Sequence, residues 1–342
     1  MKILQPLQFR VVVWSLVIIA ALTATQTLRA GQNWKAVVGG QNTDKGHQAL
    51  AFLPNEFWIH AGDSITWTQE SDEIHTVTFL TSAQIIPPFQ VGCPGFILPM
   101  ATFDGSTCVT TPPLNKRQTF TVHFPKAGNY KLVCLVHNTM NGTIHVLSPS
   151  AVLPHDQDFY DVKGAEERQA LLSDIESHSK MQADPDHDGD DDSVRVIHGN
   201  KHVTAGVGEI VSTPGGLQTA SLNRFLKGTI HIEAGDTVEW SNHDPEEPHT
   251  ITFGTEPANP FPPSPNVTVD SDGARHAIIT SPSDNVHSGF IEATLVDDPG
   301  LLPENPLDFT RFRVTFKQPG TYKYICALHD NLGMVGTVVV EP

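Results

Sequence analysis

Apolar and polar residues alternate with a period of two in short runs along most of this chain. Phe57-Trp58-Ile59-His60 and Ser64-Ile65-Thr66-Trp67 are two such runs, with Gly62 and Asp63 marking the turn between them. Tyr130, Leu132 and Cys134 fall on one face of a predicted strand, as do Tyr322, Tyr324 and Cys326. Helical periodicity is nearly absent. Many short strands with turn signals predict an all-β protein of the Greek-key sandwich type. The exception is residues 149–193. There Phe159, Val162, Leu171, Leu172 and Ile175 recur among charges between Asp158 and Met181, which predicts a short amphipathic helix. An Asp-rich run, 184–192, follows. Its D-x-D-x-D-G start resembles a calcium loop, but Arg195 stands where the bidentate Glu is needed, so a solvated acidic linker is expected.

The pattern occurs twice. Ala61-Gly62-Asp63-Ser64-Ile65-Thr66-Trp67 matches Ala234-Gly235-Asp236-Thr237-Val238-Glu239-Trp240, and His75-Thr76-Val77-Thr78-Phe79 matches His249-Thr250-Ile251-Thr252-Phe253. Farther on, Gly128 to Cys134 matches Gly320 to Cys326, and Met140-Asn141-Gly142-Thr143 matches Met334-Val335-Gly336-Thr337. The order is the same in both halves, so one domain type is expected twice. The predicted organisation is residues 31–148 and 194–342 as domains, joined by a partly helical acidic linker over 149–193. A length of 342 residues suits two such cores.

Residues 1–30 read as a segment outside the fold. Lys2 and Arg10 form a basic start, Val11 to Ala24 is a 14-residue apolar run, and small and polar residues lead to Ala30. This is the pattern of a cleaved secretory signal, and the run is short for a membrane span of about 20 residues. A periplasmic or extracellular location follows, with no membrane span after cleavage. The net charge is −17, and removing Lys2, Arg10 and Arg29 takes it to −20. Such acidity excludes nucleic acid as a partner. It serves solubility, or steers a basic protein partner such as a cytochrome-like redox protein.

The chemistry lies in two repeated clusters. Cys134-Leu135-Val136-His137 is followed by Met140, and Cys326-Ala327-Leu328-His329 by Met334; His75 and His249 stand upstream. One thiolate and two imidazoles bind copper strongly, and a thioether adds a weak fourth ligand. This set suits both Cu(I) and Cu(II), whereas methionine is a poor zinc ligand. Taking three ligands from one loop and the fourth from another strand ties the loop to the sandwich.

On these motifs each half resembles the cupredoxins, the plastocyanin-type blue-copper family. His249, Cys326, His329 and Met334 match the plastocyanin spacing, with four residues between the last His and Met. Only two residues separate His137 from Met140, as in an amicyanin-type loop. The resemblance implies one type 1 copper per domain, cycling between Cu(I) and Cu(II), with His75, Cys134, His137 and Met140 in the first site. It also implies that the edges of His137 and His329 are partly exposed and serve as the electron exit. The other thirteen histidines, His60, His123, His145 and His231 among them, are expected to be packed or surface residues. Cys93 and Cys108 lie outside the motifs and are candidates for a disulfide.

Two-domain cupredoxins include copper oxidoreductases of the nitrite reductase and laccase kinds. Those enzymes add a second copper centre, with ligands that include a His beside the blue-copper Cys and His-x-His pairs. Here Val133 and Leu135 flank Cys134, Ile325 and Ala327 flank Cys326, and no His-x-His occurs. A single-electron carrier is therefore the expected function, ahead of an oxidoreductase with an extra interface site or a non-redox copper module. The linker leaves the distance between the two sites open.

Overall fold

The computed structural model describes residues 31–84, 93–183, 201–293 and 309–342. The expectations for residues 1–30 and for the Asp-rich run lie outside the described residues. The first half is built from β1 (Asn33–Gln41), β2 (His47–Leu53), β3 (Glu56–His60), β4 (Ser64–Gln69), β5 (Thr78–Phe79), β6 (Met100–Thr102), β7 (Val109–Thr110), β8 (Thr119–His123), β9 (Gly128–Val133) and β10 (Asn141–Leu147). Helix α1 (Gln157–Ala183) follows. The second half comprises β11 (His202–Thr213), β12 (Gly216–Leu226), β13 (Thr229–Glu233), β14 (Thr237–His243), β15 (Thr252–Phe253), β16 (Thr268–Val269), β17 (Arg275–Ile279), β18 (Val286–His287), β19 (Arg311–Phe316), β20 (Gly320–Ile325) and β21 (Val335–Glu341). The chain is thus mostly β, in two tandem sandwiches.

Each half packs a five-stranded sheet, β3-β10-β9-β5-β7 or β13-β21-β20-β15-β18, against part of an eleven-stranded sheet. The alternation read from the sequence is the reason. Tyr130 and Leu132 on β9, and Ile65 and Trp67 on β4, bury one face while their neighbours meet solvent. Trp34, Trp67, Phe79, Phe120 and Phe124 fill the first core; Trp240, Phe253, Phe312 and Phe316 fill the second. The repeated Gly-Asp turns also have a physical basis. Gly62 and Gly235 take φ of +97° and +102°, which a side chain disfavours. The Asp63 carboxylate is buried and accepts from the backbone of Gln32 and His60 and from the Trp34 indole at 2.7–3.0 Å.

The halves are not held apart. β2 and β12 pair antiparallel, Ala49 opposite Ala220, so the large sheet runs from one half into the other. Helix α1 crosses this seam. Leu171, Leu172 and Ile175 pack with Ala49, Ala51, Leu53, Val207, Ala220 and Leu222. At 27 residues the helix is longer than the short one expected. Phe159 and Val162, placed on its apolar face from sequence, are 41% and 58% exposed, and Tyr160 is buried instead, against Trp34 and Phe57. The one-residue shift arises because the helix start docks on β3, where the Tyr160 hydroxyl accepts from Trp58 N–H at 2.9 Å. Cys93 and Cys108 form a disulfide, with Cα atoms 5.3 Å apart.

Candidate metal centres

Each copper motif is assembled by the same devices. Tyr130 donates its hydroxyl to Lys126 O, and Tyr322 to Gln318 O, both at 2.8 Å, pinning the entry to the strands that lead to Cys134 and Cys326. After each Cys the chain turns back on itself. Cys134 N donates to Met140 O at 2.9 Å, and Cys326 N to Met334 O at 3.0 Å. The two extra residues of the second loop are absorbed by a single helical turn, Asp330–Leu332, closed by Gly333 at φ +95°.

The upstream histidines arrive beside these loops. Thr76 and Thr250, one residue beyond His75 and His249, clamp them. Thr76 Oγ1 accepts from Leu135 N, and Thr250 Oγ1 from Ala327 N, both at 2.7 Å. Thr76 N and Thr250 N lie 3.3 Å from the sulfurs of Cys134 and Cys326. Hydrogen bonds of this kind favour the thiolate.

His75, Cys134 and His137 therefore meet in one cluster, and His249, Cys326 and His329 in another, all buried. The Nδ1 atoms of His75 and His137 are 2.9 Å apart, and those of His249 and His329 are 3.1 Å apart. Cys134 Sγ is 3.7 Å from His137 Nδ1, and Cys326 Sγ is 3.5 Å from His329 Nδ1. Met140 and Met334 are fully buried in the same loops. Two imidazole nitrogens facing each other beside a thiol is the arrangement of ligands around a shared ion. The donor types fit copper.

The electrostatics agree. Burial alone would raise the Cys134 thiol, but the His137 imidazole and the Thr76 N–H bring it below its ordinary value. Cys326 is likewise opposed by burial, yet His329 and His249 hold it far below the thiol range. Both shifts favour the thiolate, the form that binds metal.

Under each upstream His lies a bulge in the neighbouring strand. Register shifts occur between Val38 and Gly40 in β1 and between Ala205 and Val207 in β11. Gly39 and Gly206 sit there with φ of +67° and +79°. A Cβ on Gly39 would fall 2.6 Å from His75 Nε2, and one on Gly206 would collide with His249 Nε2.

One expectation is overturned at the loop itself. His137 and His329 are only 1% and 3% exposed, so their edges are not at the surface. The two sites face each other across the seam. His137 Nε2 is 3.1 Å from Glu247 Oε1, and His329 Nε2 is 3.3 Å from Glu247 Oε2. Glu73 occupies the related place, 3.9 Å from His137 Nε2 and 3.7 Å from His329 Nε2. Each half covers the imidazole edge presented by the other. Burial raises the Glu73 carboxyl, helped by the Glu247 charge and opposed by both imidazoles. Burial acts on Glu247 too, but His137 and His329 hold it well below the carboxylate range. Sequence reading missed both acids. Their signal was present, since Glu73-Ile74-His75 and Glu247-Pro248-His249 extend the repeat two residues upstream.

His60 contacts Ala151 O at 2.9 Å, His145 stacks on Trp58, and His231 pairs with Glu341 at the surface.

Residues 40–147 and 216–341 both match the copper binding proteins of the plastocyanin/azurin family. The chain belongs to that family and carries its domain twice. Among curated proteins it resembles the plastocyanin of Synechococcus sp. (strain JA-2-3B'a(2-13)), 25% identical over 113 residues, which is 33% of this chain and 60% of that protein. Among solved structures it resembles oxidised plastocyanin from Dryopteris crassirhizoma, at 18% identity, TM-score 0.22, 41% of this chain and 99% of that one. A reduced amicyanin variant matches at 18% identity, TM-score 0.23, 33% of this chain and 81% of that one.

Proposed function

We propose that this is an exported electron carrier holding one blue copper in each domain, with the two centres working as a pair. His75, Cys134, His137 and Met140 hold one copper; His249, Cys326, His329 and Met334 hold the other. A copper ion in such a set supplies one-electron redox chemistry with little ligand rearrangement. The chain's part is to keep the donors fixed. The Thr76 and Thr250 clamps, the tyrosine anchors and the shared sheet hold the ligands while charge changes.

The observation that carries the pairing is the meeting of His137 and His329 across Glu247, at 3.1 and 3.3 Å. Two ligand edges joined by one carboxylate give a short path within the chain, in a buried interface. The ring edges thus serve exchange between sites, and an outside partner meets another face. The net charge of −17 suits a basic redox protein as that partner. Export rests on the basic and apolar pattern of residues 1–30 and on the disulfide, which persists in an oxidising compartment.

Copper content and the visible spectrum test the assignment, for the parent chain and for Cys134→Ser and Cys326→Ser. An intense thiolate-to-copper band that accounts for two coppers per chain is expected, falling in part in each variant and vanishing in the double. A band depending on Cys326 alone would make the first domain structural, and no band would refute the reading.

A further inference from the structure

Glu73, Glu247 and the outer nitrogens of His137 and His329 form a second kind of cluster between the two copper motifs. Donor atoms of Glu73, His137 and Glu247 all lie within 4.8 Å of one another, and all three residues are buried. His329 Nε2 lies 3.7 Å from Glu73 and 3.3 Å from Glu247, so it borders the same space. Around a tetrahedral ion with bonds of about 2.0–2.2 Å, donor atoms stand about 3.3–3.6 Å apart. The nitrogen–oxygen distances here, 3.1–3.9 Å, bracket that spacing.

A second observation is independent of the spacing. His137 Nε2 and Glu247 Oε1 are buried polar atoms that make no aligned hydrogen bond, although they lie 3.1 Å apart. Both atoms belong to the residues whose donors cluster here. Among the described residues the ion pairs of Glu73 and Glu247 run to these two imidazoles, with no lysine or arginine joining them. Two carboxylates buried together with only imidazoles as partners are costly, and a divalent ion offsets both charges.

We propose that Glu73, Glu247, His137 and His329 bind a third metal ion, a divalent cation of borderline softness such as zinc or Cu(II). Imidazole and carboxylate donors select that class over calcium and magnesium, which want oxygen alone. Each half supplies one Glu and one His, so the site exists only when the halves are joined. Both nitrogens of an imidazole are then engaged, Nδ1 toward its Cys and Nε2 toward the interface. A ring engaged in this way exchanges its Nε2 proton for the ion, so one proton leaves to solvent per bridging ring.

The proposal rests on the copper reading only in assigning Nδ1 to the blue sites, and the two are measured separately. Copper-loaded full-length protein is dialysed against Zn(II), and metals are counted while the visible band is recorded. The expected result is two coppers plus one zinc per chain, or three coppers when Cu(II) alone is offered. Glu73→Gln should lose the additional ion and keep the band, and Glu247→Gln should lose the additional ion as well. X-ray absorption at the zinc edge of the parent protein should show nitrogen and oxygen neighbours only. Two ions per chain at excess zinc would overturn the proposal. So would an extra ion that survives both substitutions, as binding in the Asp-rich run would, or sulfur in the zinc shell. A missing band in the parent protein would instead strike the copper reading.

Discussion

Gly39 and Gly206 decide how close the backbone comes to the imidazoles of His75 and His249. Both have positive φ, and any Cβ would meet the ring. Gly206→Ala is therefore expected to displace His249 and cost about 1–2 kcal/mol in backbone strain alone. Copper titration should show the second site weakened and the first unchanged. A different residue governs acid stability. His202 is buried beside Ser241 Oγ at 2.8 Å; burial first, then His243 and Lys227, lower its pKa from 6.5 to about 4. Between those values the unfolded chain binds the proton and the folded chain does not. Its contribution is full above pH 6.5 and is lost as pH falls toward 4, up to about 3 kcal/mol. Denaturant unfolding across that window should flatten in His202→Gln relative to the parent chain. At this scale the clusters were legible. Residue types and register alone brought His75, Cys134 and His137 together, and likewise His249, Cys326 and His329. The carboxylates were not recognised, because an acid beside a ligand looks like a solvated charge until the second half is laid over it.

Elements show where one-dimensional pattern loses information. Period-two alternation found β3, β4, β9 and β20, since one face of each is buried and the other is wet. β2 defeats it, because six of its seven residues are buried: one face serves the sandwich core and the other lies under α1. The same contact explains the helix. Its buried stripe of Leu171, Leu172 and Ile175 was read correctly, but its start was not, because Tyr160 is recruited by β3 rather than by helical period. Ile175 is fully buried at the seam where β2 meets β12. Ile175→Ala should cost about 2–5 kcal/mol. The loss should appear as a lower unfolding midpoint with the visible band intact in the native protein. A negligible loss would mean that α1 does not stabilise the seam.

At the scale of the whole molecule, the two sandwiches share one sheet, and the sharing turns their ligand loops toward each other. Thr139 in the first loop donates to Glu246 at 3.1 Å, and Leu217 N donates to Asn141 at 3.0 Å, so the loops are fastened across the seam. Arg224 on β12 donates to Leu332 O in the second loop at 2.8 Å and also reaches Asp44 O in the first half. None of this could be read from the linker, whose acidic composition carries no information about distance. It follows from pairing β2 with β12, a choice made by the small residues Ala49 and Ala220 and by the helix that covers them. The proposed function, a carrier whose sites communicate within one chain, rests on this arrangement. The direct measurement is the rate at which an electron placed on one copper equilibrates with the other, after rapid injection of less than one reducing equivalent. The account predicts first-order equilibration at a rate independent of protein concentration, abolished when Cys134 or Cys326 is replaced by Ser. A rate that scales with protein concentration would show that the two sites exchange electrons only between molecules, and would contradict it.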